Sequence, residues 1–205
     1  QPMLDAGERL SRAWGVVGHL HSVNDIPPWR EAYNALLPEV SSFYADLGQN
    51  LVLYSKYKAL AESAAFSSLT AARKKIIDNE LRDFRLSGAE LPEDKKPRFK
   101  AIQEELSALA AKFSENVLDA TNAHAEWIAD AADLAGLPDD AIAAARAAAE
   151  KEGKPGWKFT LHAPSYMPVM QYADNRDLRA RMYRASATRA AEFGPTQWDN
   201  GPLID

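Results

Sequence analysis

The feature that most constrains the fold of this chain is a long stripe of apolar residues with helical spacing. The stripe has steps of 3, 4, 3, 4, 4 and 3 residues, at Phe99, Ile102, Leu106, Leu109, Phe113, Val117 and Ala120. Such near-heptad spacing is typical of a long helix that packs almost antiparallel against its neighbours. The sequence predicts that this helix begins at Pro92, because Glu93 and Asp94 would then lie in a first turn that favours acidic residues.

Apolar stripes with the same period predict further helices through most of the chain. They cover residues 10–20, 29–47, 51–60 and 77–84. Pro38 should kink or interrupt the second of these helices, since proline removes a helical hydrogen bond. Ser68 or Thr70 can cap the fourth, and Asn175 can cap a later helix that is rich in arginine.

In one segment, apolar and polar residues alternate strictly instead of following a helical period. In WKFTLHAP, Trp157, Phe159 and Leu161 share one side, which predicts a strand. The segment AEWIAD, residues 125–130, could pair with it as a small antiparallel ribbon, with an alanine-rich helix inserted between the two. The predicted fold class is therefore mainly α, a multi-helix array with long antiparallel helices and one two-stranded antiparallel β ribbon. We predict two domains, residues 1–122 and 123–205.

Composition narrows the classes of function. Hydrophobic residues make up 46% and charged residues 26% of the chain, as in ordinary soluble globular proteins. The formal net charge of −5 argues against a nucleic-acid partner, and the lack of cysteine excludes disulfides and thiolate sites. No apolar run approaches the ~18–20 residues that span a bilayer, and no signal peptide is visible, so we expect no membrane partner and a cytoplasmic location.

The four histidines do not predict a metal site. His19 and His21 point in nearly opposite directions on a helix, so they cannot share an ion. His124 and His162 flank the proposed ribbon and could approach each other, but a metal site needs three or four ligands and no carboxylate spacing completes this one.

The arginine-rich segment NRDLRARMYRASATRA has two possible interpretations. Arg181 and Arg184 lie near one helical face, which would suit an anion, whereas a solvated helix with its own salt bridges is the more frequent outcome. In that helix Arg176 and Arg179 would pair with two acidic residues, Asp174 and Asp177. Three nearby tyrosines could offer hydroxyl groups to a peptide but are more often core residues: Tyr166, Tyr172 and Tyr183.

No catalytic, cofactor-binding or metal-binding residue can be assigned from motifs. The sequence contains no His-Glu-x-x-His, no Gly-x-Ser-x-Gly, no Walker loop and no dinucleotide fingerprint. From its residues alone, the chain is an α-rich module without a recognisable active site.

Six collinear segments nevertheless resemble one family. They are HLHSVND, WREAYNALLPEVSSFYADLGQN, DNELRDFRLSGAELPEDKK, FSENVLDAT, PSYMPVMQYADNRDLRARMYRASATRA and WDNGP. In this order and spacing they resemble the N-terminal portion of the thimet oligopeptidase family of zinc metallopeptidases. The resemblance runs over nearly the whole chain.

The resemblance implies a much longer, almost entirely helical enzyme with a deep channel in which short peptides are cut internally. Its zinc-binding His-Glu-x-x-His helix lies downstream of the region resembled here, so no catalytic residue carries over. We therefore expect an inactive fragment that forms one wall of the channel, and that would partner short peptides and the missing catalytic region or self-associate. The ending Pro202-Leu203-Ile204-Asp205 fits this expectation, since it reads as the first turn of a further helix. The alternative is a stand-alone helical module that binds peptides or proteins without cutting them.

Overall fold

The predicted fold class is confirmed. The computed structural model describes the backbone of residues 2–205 and the side chains of residue 5 and residues 7–205, and within them it is mainly helical with one small two-stranded sheet. The chain divides into two compact units, Gln1–Ala111 and Lys112–Asp205, which we call the N-terminal and C-terminal units. The division into domains at residue 122 stays a prediction.

Six helices begin in the N-terminal unit: α1 (Pro2–Val23), α2 (Pro27–Gly48), α3 (Leu51–Ala61), α4 (Ala64–Ser67), α5 (Ala71–Leu86) and α6 (Lys96–Ala123). The hydroxyl group of Thr70 caps α5 by accepting a hydrogen bond from the backbone N–H of Arg73. Thr70 is one of the two residues that were predicted as alternatives for this cap. Helix α2 continues through Pro38, so this proline does not interrupt it.

The start of the longest helix differs from the prediction. Helix α6 begins at Lys96, not at Pro92. Residues 92–95 instead form a turn in which the N–H of Lys95 donates to the carbonyl of Pro92 over 2.9 Å. Pro97 suits the first turn of a helix as well as Pro92 does, because its missing N–H would have no helical acceptor there. Glu93 binds the Lys96 ammonium group at 2.6 Å from its place in the turn.

An aromatic stack and an ion cluster join α1 to α2. The ring of Tyr33 lies between those of Trp14 and His21, with centroid distances of 4.9 and 4.2 Å. Asp25, whose side chain is only 1% exposed, lies in the short connection between the helices. Its carboxylate accepts hydrogen bonds from Nε of Arg30, at 2.8 Å, and from Nη2. A buried carboxylate at this point therefore fixes the helix pair.

The C-terminal unit is built around the predicted ribbon, which is confirmed. Strands β1 (Glu126–Ile128) and β2 (Trp157–Phe159) pair antiparallel, with Ile128 opposite Trp157 and Glu126 opposite Phe159. The remaining elements are a 3-10 turn at Ala131–Leu134, α7 (Asp139–Lys151), α8 (Ala163–Tyr172), α9 (Arg176–Ala187), a 3-10 turn at Thr196–Trp198 and α10 (Gly201–Ile204). The last of these is the predicted turn of helix at the end of the chain.

The core of this unit lies between the ribbon and helices α7 to α9. Its most buried large side chains are Phe159, Val169, Leu178 and Met182. Phe159 and Leu161 point into this core, and Trp157 packs against it, as the alternating pattern predicted. Burial of this single apolar face accounts for the strict alternation in the sequence.

Two buried asparagines attach the last residues to α6 within the C-terminal unit. Asn116 donates from Nδ2 to Oδ1 of Asn200 over 2.8 Å, and Asn200 donates to the carbonyl of Phe113 over 3.1 Å. Each asparagine is 2% exposed. These residues belong to the segments FSENVLDAT and WDNGP, so two of the sequence segments quoted above meet through hydrogen bonds.

Candidate functional site

The C-terminal unit contains a pocket of about 570 Å³, which we call the arginine pocket. The end of α6, strand β1, helix α9 and the segment after it form its walls. Its charged and ionisable lining residues are His124, Glu126, Arg181, Arg184 and Arg189. Its apolar lining includes Leu161, Phe193, Trp198 and several alanines. The pocket therefore combines cationic groups with an aromatic wall.

One arginine of the pocket is paired and two are not. Arg181 donates from Nε to Glu126 over 2.7 Å, which ties α9 to β1. Among the described residues no acidic side chain lies within ion-pair distance of Arg184 or Arg189. The Nη1 group of Arg189 donates to the carbonyl and hydroxyl oxygens of Ser186, at 2.6 and 2.9 Å. This contact holds the guanidinium in place, while its buried Nε lacks a hydrogen-bond acceptor in the described part of the chain.

The pKa of His124, in the wall of the pocket, is shifted. Burial lowers the pKa of His124 from its ordinary 6.5, because desolvation disfavours the imidazolium, and the nearby charge of Glu126 partly opposes this effect. The Nε2 atom of His124 is buried and has no hydrogen-bond partner among the described side chains. The imidazole is therefore held in its neutral form in the pocket at pH 7.

The lowered pKa of His124 predicts a loss of stability as the pH falls. Between the folded and unfolded pKa values the unfolded chain binds more protons, so the free energy of unfolding decreases as the pH falls through about 6.5. In an NMR titration, His124 should titrate below 6.5 in the folded chain and return to that value in urea. His124→Gln should remove its part of the pH dependence of urea unfolding, whereas His19→Gln should leave that part in place. A folded midpoint at or above 6.5 would contradict the assignment.

The histidines considered from the sequence contact other residues in the structure. His21 lies 3.7 Å from the Asp25 carboxylate, whereas His19 is exposed. The two ring nitrogens of His162 contact Thr160 and Asn122, at 3.2 and 3.0 Å. Across the described residues, no group of three or more His, Asp or Glu side chains could hold a metal ion. Neither histidine pair is therefore part of a group of metal ligands among the described residues.

The prediction that the arginines of α9 form salt bridges with Asp174 and Asp177 is wrong. No ion pair joins Asp174 or Asp177 to an arginine in the part of the chain that the structure describes. Arg179 instead donates to the backbone carbonyls of Ala173 and Asp174, which follow α8, because those carbonyls have no helical partner. Arg181 reaches across to β1. Hydrogen bonds to nearby backbone carbonyls and one tertiary ion pair thus replace the expected local ion pairs.

Two of the three tyrosines differ from the expectation that they are core residues. Tyr166 packs against the core of the C-terminal unit. Tyr172 and Tyr183 are 53% and 61% exposed. Neither exposed tyrosine lines the arginine pocket.

A second cavity, of about 440 Å³, lies within the N-terminal unit. Its walls are largely apolar and include Trp14, Leu37, Val40 and Phe99. Its polar lining consists of three serines, Gln103 and Tyr44, so it contains no acid, base or cation for chemistry at neutral pH. We also find that none of the described helices is both long and apolar enough to cross a bilayer.

Comparison with known proteins agrees with the resemblance read from the sequence. Residues 1–96 match the family described as Neurolysin/Thimet oligopeptidase, N-terminal domain. The whole chain is 48% identical to Oligopeptidase A of Haemophilus influenzae and 44% identical to Oligopeptidase A of Salmonella typhimurium. It is 39% identical to a protein of Arabidopsis thaliana named Probable cytosolic oligopeptidase A.

For each of these three relatives the match covers 100% of this chain but 30% of the relative. The chain thus spans about a third of the length of the relatives. The arginine pocket lies in residues 112–205, beyond the matched N-terminal domain but within the region aligned with the oligopeptidases. These matches, which run from one end of the chain to the other, show that the chain is similar to the N-terminal part of oligopeptidases of the thimet family.

Proposed function

We propose that this chain is the N-terminal, channel-wall region of a longer cytoplasmic oligopeptidase that hydrolyses short peptides internally. The observation that carries the proposal is the alignment of all of its residues with proteins named Oligopeptidase A, at 44–48% identity in the bacterial relatives. The relative named cytosolic supports the location. The arginine pocket adds a surface that suits a peptide, because it offers cations beside apolar and aromatic side chains.

The residues of this chain do not fit the zinc ion that such a peptidase uses. The described side chains offer no group of three possible ligands, and the sequence lacks His-Glu-x-x-His. We therefore place the metal site in sequence outside these 205 residues and assign no chemical step to this chain. Its proposed roles are to exclude large substrates from the channel and to hold peptides near the catalytic region.

The test compares the longer protein with this chain. The full reading frame that contains these residues is expressed, and an internally quenched peptide of about ten residues is offered to it and to the 205-residue chain. We expect cleavage by the longer protein, loss of that activity with a zinc chelator and its return with added zinc, and no cleavage by the 205-residue chain. A casein substrate serves as the size control and should be cut far more slowly than the peptide.

Two results would contradict the proposal. Cleavage of the peptide by the 205-residue chain would place catalytic groups within it. Peptide binding without any cleavage by the longer protein would favour the alternative, a helical module that binds peptides and does not cut them.

A further inference from the structure

The net charge of the arginine pocket selects an anionic ligand. Three arginines and one glutamate line it, and His124 is neutral, which leaves two net positive charges. One arginine charge is compensated by the Arg181–Glu126 pair. The remaining two belong to Arg184 and Arg189, for which the described residues supply no carboxylate. Arginine forms paired hydrogen bonds with planar carboxylates, so these groups are chemically suited to bind one.

Two buried nitrogen atoms without hydrogen-bond partners point to a ligand and not simply to a basic surface. Nε of Arg189 and Nε2 of His124 are both buried and lack partners within the described part of the chain. Buried polar groups are normally paired, and an exception calls for an explanation such as an absent ligand. Arg189 is also held by Ser186, so its guanidinium loses little freedom when an anion binds. Arg184 is exposed and can close on the same anion.

The apolar wall and Glu126 narrow the class of anion. Leu161, Phe193 and Trp198 border the charged groups, so a ligand that fits should carry an apolar group next to its charge. Glu126 lies in the same pocket as a fixed negative charge, which opposes a dianion such as phosphate more than a monoanion. The volume of about 570 Å³ is large enough for one or two amino-acid residues.

We propose that the arginine pocket binds the C-terminal carboxylate of a short peptide, with Arg184 and Arg189 on the carboxylate and the side chain of the last residue against Trp198 and Leu161. The identity of the ligand as a peptide rests on the proposed function. The pocket thereby orients a peptide by its free end, independently of the residues that cut it.

The test measures binding to the folded 205-residue chain by calorimetry, with circular dichroism to verify the fold of each variant. The probes are the tripeptide Ala-Ala-Phe as a free acid and the same tripeptide with an amidated C-terminus. We expect the acid to bind at least about tenfold more tightly, since the amide loses the charge-assisted hydrogen bonds. Arg184→Gln should weaken binding of the acid about tenfold or more and leave the amide unchanged. Arg176→Gln, an exposed arginine of the same helix outside the pocket, is the matched control.

A second readout follows His124 in NMR spectra. A bound carboxylate favours the imidazolium, so the acid should raise the pKa of His124 above its value in the free chain, and the amide should not. The other charged groups around this imidazole are Glu126, Arg181, Arg184 and Arg189, and all are present in both samples. Arg189→Lys keeps the charge but loses the planar donor pair, and it should weaken binding of the acid less than Arg184→Gln combined with Arg189→Lys.

Four outcomes would overturn the inference: no binding of the acid up to millimolar concentration, equal affinity for acid and amide, equal effects of Arg184→Gln and Arg176→Gln, or displacement of the acid by inorganic phosphate at lower concentration. The last would identify a phosphate site. None of these outcomes would contradict the proposed function, because that proposal is tested by peptide cleavage in the longer protein. If the longer protein cleaves the peptide but the 205-residue chain does not prefer the free acid over the amide, only the assignment of the arginine pocket is rejected.

Discussion

Replacing Phe159 by alanine is expected to lower the free energy of unfolding of the C-terminal unit by about 3–5 kcal/mol. Phe159 is 1% exposed and is the largest of the fully buried side chains, in a core that also contains Leu178, Met182 and Val169. Truncation removes the transfer free energy of the ring and leaves a cavity that strand β2 cannot close, because its partner β1 fixes its position.

The measurement is urea unfolding followed by circular dichroism, and the matched control is Phe193→Ala. Phe193 lies in the same unit but is 76% exposed, so its truncation should change the free energy of unfolding by no more than about 0.5 kcal/mol. Equal unfolding midpoints for the two variants would show that the core is not centred on Phe159.

In the N-terminal unit, Asp25→Ala is expected to lower the free energy of unfolding by about 2–3 kcal/mol. The carboxylate is 1% exposed and accepts two hydrogen bonds from Arg30, so alanine removes both hydrogen bonds and this ion pair. Breaking a fully buried pair costs about 3–5 kcal/mol, and we expect less here because the Arg30 side chain is 26% exposed. Urea unfolding at pH 7 measures the difference.

Two comparisons make the origin of the Asp25 effect clear. Asp46→Ala removes a carboxylate that is 64% exposed and paired with Lys100 at 2.6 Å, and such surface pairs contribute at most about 1 kcal/mol. Asp25→Asn keeps the shape and one acceptor oxygen but loses the charge, so its effect should fall between the wild type and Asp25→Ala. An Asp25→Ala variant as stable as Asp46→Ala would mean that the cluster does not fix the helix pair.

Much of the fold follows from local sequence patterns. The alternation around Phe159 predicted the ribbon, because only one face of that strand meets the core. Asn175 caps α9 by accepting from the N–H of Leu178, and Thr70 caps α5, as short polar side chains do at helix starts. The start of α6 was predicted wrongly because Pro92 and Pro97 are both compatible with a first turn, and the local pattern does not distinguish between them.

The candidate site was only partly visible in the sequence. Arg181 and Arg184 were recognised as neighbours on a helical face, which is a local relation. Arg189 and Trp198 were not connected with them, and neither was His124, 60 residues or so earlier in the chain. The ion cluster of Asp25 was also missed, although the five-residue spacing of Asp25 and Arg30 across the Pro27-Pro28 break offered a weak indication.

The sequence by itself determined the helical periods, the ribbon, the caps at Thr70 and Asn175 and the similarity to a family, because each of these depends on neighbours along the chain or on order and spacing. Only the tertiary structure decided which charges are paired. Arg181 pairs with Glu126 on β1 and not with the nearby Asp177. Arg184 and Arg189 line the same pocket as His124. The physical reason is that ion pairs and pockets depend on distances of a few ångströms between elements that are remote in sequence, where local propensity carries no information.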